Sequence, residues 1–283
     1  MLVRLFRLLS HLPLRMLHLL GTVLGWLVWL VSPTHRRRLH ENLVRAGYAP
    51  LRNAAIAESG KSILELAFVW CAAPIRVLAM ATVQDWQLVD AALGQQRGVI
   101  FLTPHLGCFE IIAQYIATRE PLTVLYRPPR KAALKPLMEG ARRRPGLALA
   151  PANLAGVRML LKALKGGGAI GLLPDQVPQN GEGVWADFYD TPAYTMTLPA
   201  KLQQMTRAVI ILAYAERLPN GRGFTIRFVD GPALADDAPQ QQARQLNQAM
   251  QDLIARCPHQ YFWSYNRYKC PAGVAAPGSG MSA

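Results

Sequence analysis

At 283 residues with an apolar share of 51%, the chain has enough material for one large core or two small ones. Charged residues make up only 17%, low for a protein surrounded by water, and the balance is basic, with 31 Lys plus Arg against 17 Asp plus Glu. A formal net charge of +14 argues against an acidic ligand-free surface and for an anionic partner: nucleic acid, phospholipid headgroups or an acidic carrier protein. Four scattered cysteines (Cys71, Cys108, Cys257 and Cys270) form no CxxC pair, which argues against a zinc ribbon or a disulfide framework and for reduced thiols.

The first element is apolar. Met16 to Val31 has only His18 and Thr22 as polar breaks. About 20 helical residues cover a hydrocarbon core of roughly 30 Å, so the segment is a membrane anchor, either spanning or lying in the interface. Trp26 and Trp29 sit toward one end, and Arg36, Arg37 and Arg38 follow. That basic cluster places the remainder of the chain on the cytoplasmic side and fits a signal peptide poorly. The expected divisions are an anchor over 1–32, a catalytic domain over 33–270 and a disordered tail over 271–283, rich in Gly, Ala, Pro and Ser.

Beyond the anchor, a basic helix is expected over Pro33 to Gly47, an amphipathic helix over Leu51 to Cys71 and a short one over Val83 to Leu93. The rhythm then changes. Strands are expected at Val99–Thr103, Leu122–Tyr126, Leu147–Ala150, Ala169–Leu173, Ala208–Ala215 and Phe224–Val229. Helices are expected at Phe109–Thr118, Lys131–Arg143, Leu154–Lys165, Thr195–Met205 and Pro239–Arg256. This alternation predicts an α/β fold with a mixed, mostly parallel sheet flanked by helices. Such sheets bind ligands beyond the carboxyl ends of their strands, which would gather His105, Arg127 and Asp175 at one edge.

The most informative stretch is GVIFLTPHLGCFEIIAQ, Gly98 to Gln114. A histidine leaving a strand, followed by a carboxylate at the next helix start, suits a general base and its orienter: His105 and Glu110. Gly107 permits a tight turn with close backbone approach. The helix start offers N–H groups to developing negative charge. A capped turn with an incidental histidine is the alternative. Cys108 lies inside the same spacing, so a thiol nucleophile competes with the base reading. No HExxH occurs and the six histidines are dispersed, so no metal site is expected.

Between Arg127 and Lys165 there are ten basic residues and one acid, Glu139. Guanidinium forks suit phosphate oxygens, although three adjacent arginines, Arg142 to Arg144, point in different directions on a helix. Stacking aromatics are missing there beyond Tyr126, which argues against nucleic acid. GLLPDQ ends a strand with Asp175, and QYFWSYNRYK near the C-terminus reads as a core-facing aromatic element.

Taken together, the apolar N-terminus, HxxxxE at His105–Glu110, YRP at Tyr126–Pro128, the following arginine cluster, PDQ at Pro174–Gln176, Phe188–Tyr189 and the QYFWSYNRYK block resemble the late acyltransferases of lipid A biosynthesis, the lauroyl/myristoyl transferase family. The likeness runs from about residue 10 to 271 and extends more distantly to the glycerolphosphate-acyltransferase-like superfamily. Where many relatives have Phe-Phe-Gly, this chain has Phe188, Tyr189 and Asp190. The resemblance implies acyl transfer from acyl-acyl carrier protein to a hydroxyl of a lipid A precursor of the Kdo-lipid IVA type, without a cofactor, at the cytoplasmic face of the cell inner membrane. It implies His105 and Glu110 as catalytic residues and Arg127, Arg142 and Asp175 as substrate-binding or site-organising ones. The partners would be acyl carrier protein, the lipid A precursor and the membrane, and not nucleic acid. A sister acyltransferase acting on a phospholipid, aminolipid or glycolipid is the alternative, and a non-catalytic basic membrane-binding module a remoter one.

Overall fold

The computed structural model describes residues 2–127, 135–142, 144–234 and 238–277, without the side chains of Pro136, Ala141 and Arg142. Two apolar helices come first, α1 (Leu2–Leu9) and α2 (Leu14–Val31), then α3 (Pro33–Arg45), α4 (Arg52–Cys71) and α5 (Pro74–Leu78). Pro33 opens α3 at its first turn, and the Ser32 hydroxyl accepts from the His35 N–H, so the chain turns at that point rather than prolonging α2.

The remainder alternates: β1 (Ala81–Gln84), α6 (Trp86–Gly94), β2 (Val99–Leu102), α7 (Phe109–Ile116), β3 (Leu122–Tyr126), α8 (Lys135–Arg142), β4 (Leu147–Pro151), α9 (Leu154–Lys165), β5 (Ala169–Leu172), β6 (Gly183–Phe188), β7 (Thr191–Met196), α10 (Leu198–Thr206), β8 (Val209–Arg217), β9 (Phe224–Asp230) and α11 (Pro239–Ile254). Seven strands form one sheet in the order β1-β9-β8-β2-β5-β3-β4. Every neighbouring pair is parallel except β8 and β9, which are antiparallel. The mixed, mostly parallel sheet flanked by helices is therefore the one expected.

Its central strands are apolar without alternation because both faces are covered. Ile100, Leu102, Ile210 and Leu212 face one core with α9, α10 and α11. Val99, Phe101, Ile211 and Ala213 face the other, with α4, α6 and α7. Burying a Leu or Ile side chain contributes roughly 1.5–3 kcal/mol, so these two cores carry most of the favourable burial energy.

Two expected helices begin later than the sequence suggested. Val83 belongs to β1, which pairs with β9, and α6 starts only at Trp86 after Asp85, at φ +63°. Thr195 and Met196 belong to β7, so α10 starts at Leu198. The β6–β7 hairpin was not anticipated. It turns on Tyr189 and Asp190, both with positive φ, where glycine would sit without strain. Residues 271–277, expected to be disordered, lie against this region: Asn180 donates to the Gly273 carbonyl and Trp185 to that of Ala275.

Candidate active site

The sheet order decides which side chains meet. β2 and β5 are neighbours in register, Leu102 opposite Leu172, although α7, β3, α8, β4 and α9 separate them in sequence. The segments leaving their carboxyl ends therefore run side by side. His105 leaves β2 and Asp175 leaves β5. The His105 backbone N–H donates to Asp175 Oδ2 at 2.9 Å, and His105 Nδ1 lies 2.8 Å from Asp175 Oδ1. One carboxylate thus fixes both the loop and the ring.

With Asp175 ionised, Nδ1 carries the proton and donates, which leaves Nε2 with its lone pair outward. Nε2 lies 3.1 Å from the Gln176 amide nitrogen, which donates to it. Asp175 is 4% exposed, and burial alone raises its pKa. The His105 charge, its two hydrogen bonds and the more distant Arg267 outweigh burial and hold the carboxyl below its ordinary value. The His105 side chain keeps 15% of its surface open, enough for a substrate atom to approach the ring.

The loop between His105 and α7 is clamped on three sides. Phe262 N–H donates to the His105 carbonyl, Gly107 N–H to that of Gln260 and Cys108 N–H to that of Ala215. Gly107 has φ +58°, and an added Cβ would sit 1.9 Å from the Ala215 oxygen, so no other residue fits without moving β8. Leu106 N–H is also taken, by the Pro104 carbonyl. The loop's own amides are therefore committed to the fold.

Of the other expected site residues, Glu110 lies in the first turn of α7, where a carboxylate suits the helix dipole, and accepts from Trp70 Nε1 at 3.1 Å. The ring nitrogens of His105 are hydrogen-bonded by Asp175 and Gln176; the orienting contact expected of Glu110 is made by Asp175. Arg127 is exposed at the end of β3, next to β5 in the sheet. It acts electrostatically on Tyr265, whose hydroxyl accepts from the Val177 N–H just beyond Gln176. Arg142 ends α8, and its side chain lies outside the described residues, as does Arg143. Cys108 is buried, and burial together with nearby Glu65 pushes its thiol pKa well above the ordinary value, so it is a packed thiol rather than a ready thiolate. Among the described residues no cluster of three His, Cys, Asp or Glu side chains could hold a metal.

Three features escaped the sequence reading. Gln176 lies within the PDQ run and meets the ring directly. The C-terminal block, described only as core-facing, straps the site: Asn42 on α3 donates to the Trp263 and Tyr265 carbonyls. Its Arg267 is buried, donating to the Tyr194 carbonyl, Thr195 Oγ1 and Asn247 Oδ1. Third, a narrow apolar slot of about 50 Å³ runs between α7 and the sheet, lined by Thr103, Phe109, Ile112, Ala113, Val124 and Gly171 among others. Phe109 lines it, and the centroid of its ring lies 4.6 Å from that of His105. A base with an oriented ring, beside an apolar slot, can deprotonate a hydroxyl while a hydrocarbon chain is held next to it.

Residues 1–270 match the profile of the bacterial lipid A biosynthesis acyltransferases. Among curated proteins, the lipid A biosynthesis lauroyltransferase of Escherichia coli (strain K12) is 24% identical over 76% of this chain and 71% of its own length. The lipid A biosynthesis palmitoleoyltransferase of the same organism is 24% identical over 94% of this chain and 89% of its own.

Proposed function

From the chain's membership of the bacterial lipid A biosynthesis acyltransferase family, we propose that it transfers a fatty acyl group from acyl-acyl carrier protein to a hydroxyl of a lipid A precursor of the Kdo-lipid IVA type. The observation that carries this reading is the His105–Asp175 pair beside an apolar slot at the carboxyl edge of the sheet.

The acceptor hydroxyl displaces the Gln176 amide from His105 Nε2 and gives up its proton there as its oxygen attacks the thioester carbon. Asp175 holds Nδ1–H and offsets the positive charge that forms on the ring. The C–S bond then breaks, and the departing thiolate takes the proton back from the imidazolium. The thioester is already activated, so no covalent acyl-enzyme is needed. The slot takes the first carbons of the acyl chain between Phe109 and the sheet, with Gly171 in its wall.

Glu110, in the first turn of α7 and five residues from His105, is the proposed second carboxylate of the catalytic pair, its charge adding to the stabilisation of the imidazolium. Arg127 and Arg142 are the proposed contacts to acceptor phosphates, which guanidinium groups pair well. The basic surface suits an acidic carrier protein and a phosphorylated lipid alike. Among the described residues α2 is the one helix long and apolar enough to cross a bilayer, in keeping with work at the cytoplasmic face of the inner membrane. Assignment of the sheet to the glycerolphosphate-acyltransferase-like fold belongs to the same proposal.

Mass spectrometry of the product tests it. Purified protein, given defined acyl-carrier-protein donors and the precursor, is expected to add one acyl group to the precursor. Acylation of a phospholipid, aminolipid or glycolipid instead, with the precursor untouched, would move the assignment to a sister acyltransferase.

A further inference from the structure

We propose that α1 and α2 lie in the plane of the bilayer, half-sunk in its surface, and that α2 does not cross it. The inference rests on the membrane association proposed above and commits to one occupant of the apolar face, a lipid surface with anionic headgroups.

Length does not decide between the two orientations, since 18 helical residues cover about 27 Å. The two faces of α2 do. One face is exposed and apolar, with Leu19, Leu20, Val23, Leu27, Leu30 and Val31 at helical spacing, and Leu5 and Leu8 continue it on α1. The opposite face is fused to α4. An added Cβ at Gly25 would sit 2.1 Å from the Ile56 carbonyl oxygen, and one at Gly60 would sit 1.9 Å from that of Gly21. The two backbones touch, so α2 cannot enter a membrane without carrying α4 with it.

That neighbour is unfit for hydrocarbon. Midway along the contact, α4 presents Glu58, Lys61 and Glu65, and Glu65 Oε2 lies 3.3 Å from His18 Nε2 on α2 itself. A polar cavity of about 300 Å³ opens alongside, lined by Arg15, Thr22, Lys61, Glu216 and Asn220 among others. Its far wall is the Pro219–Gly221 turn, which approaches so closely that a Cβ at Gly221 would meet the Arg15 backbone at 2.3 Å. A slab perpendicular to α2 would close off this wet cavity and immerse its open polar groups, Arg15 and Asn220 among them, where an unpaired charge costs several kcal/mol. A plane parallel to α2 immerses only the apolar stripe.

Charge complements that plane. Exposed arginines stand at both ends of the helical pair: Arg4 and Arg7 on α1, Arg15 at the start of α2, and Arg36 and Arg37 just past its end. Arg36 lies over the Trp29 ring at 5.5 Å, a pairing suited to the headgroup layer. In a spanning arrangement these two arginine groups would face opposite compartments. In the plane, all of them meet one anionic leaflet.

The test uses the full chain in inverted inner-membrane vesicles, with half-buried Cys71 and exposed Cys270 replaced by Ser. Single cysteines at Arg7→Cys, Arg37→Cys and, as a reference on the catalytic domain, Lys201→Cys are treated with a membrane-impermeant maleimide. We expect all three to label from the same side without detergent. Labelling of position 7 only after the vesicles are opened, while 37 and 201 label at once, would overturn the in-plane arrangement and leave membrane association standing. Extraction of the protein by salt alone, with vesicles of phosphatidylglycerol failing to rebind it, would overturn the lipid surface altogether. Leu20→Arg with Leu27→Arg, outside the α4 contact, is expected to lower partition into those vesicles by about tenfold or more.

Discussion

Two acid–base clusters lie on either side of the C-terminal strap, and they differ in what they leave undone. Around Arg217 every charge is answered: Nε and Nη2 bind Glu65 at 2.7 and 2.5 Å, Nη1 binds Glu58 at 2.5 Å, and Lys61 closes on Glu58 at 2.6 Å. Arg217 and Glu65 are 3% and 1% exposed. That cluster ties α4 to β8 and has no lone pair to offer. Around His105 one nitrogen is fixed by a buried carboxylate and the other is held only by a neutral amide, with part of the ring open. Complete pairing makes a tie; pairing with one replaceable partner makes a reagent. Gln260 joins the two, since its amide binds both the backbone N–H and the carbonyl of Arg217 while its own carbonyl receives Gly107 N–H.

The comparison breaks if substitutions in the two clusters have the same consequences. Asp175→Asn is expected to cut the rate of acyl transfer by about 10³, because the ring loses its fixed tautomer, while the melting temperature stays close to wild type. Steady-state kinetics alongside a thermal melt checks both halves. Glu65→Gln should do the reverse. Breaking a buried pair costs about 3–5 kcal/mol, read by denaturant unfolding, with the rate per folded molecule preserved.

Acid sharpens the same contrast. Burial raises the Glu65 carboxyl, but the Arg217 charge and hydrogen bonds, with His18 adding, bring it from 4.5 down to about 2. A carboxyl lowered on folding stabilises the fold above its unfolded pKa and loses that contribution as pH falls through the folded value. Stability is therefore expected to decline between about pH 4.5 and about pH 2, and Glu65→Gln to flatten that decline in pH-dependent unfolding curves.

The smallest effect belongs to the slot. A Cβ at Gly171 would lie 3.0 Å from Val124 Cγ1, a side chain that can give way, so the strand survives substitution. Gly171→Val should narrow the slot from its sheet wall and shift preference toward shorter acyl donors by about tenfold, measured by donor competition. No change in chain preference would remove the slot from the acyl path.

Much of this was legible in the sequence where one physical cause dominates. Strands covered on both faces read as apolar runs, and all six expected strands match within about two residues at each end; α9 matches fully at Leu154–Lys165. β1 was lost because it is short and owes its strand character to β9, far along the chain, and β6 and β7 because their polar and proline residues carry no apolar run and only their mutual pairing makes them strands. Local spacing singled out His105, and the α/β rhythm put Asp175 at the same sheet edge, but no spacing states that β5 lies directly beside β2. For that reason Glu110, five residues away, was given the contact that Asp175, 70 residues away, makes. Gln176 and Phe262 lay inside the PDQ and QYFWSYNRYK runs, but nothing local placed them at the His105 loop, and Gly171 carried no signal of its own, since their place depends on the sheet order.

The most direct measurement is single-turnover acyl transfer by His105→Ala, in protein shown by circular dichroism and vesicle binding to be folded and membrane-bound. If the imidazole removes the acceptor proton, the rate falls by about 10³ or more, with donor binding unchanged. A rate within tenfold of wild type would contradict it and leave residue 105 as a structural tie like Arg217.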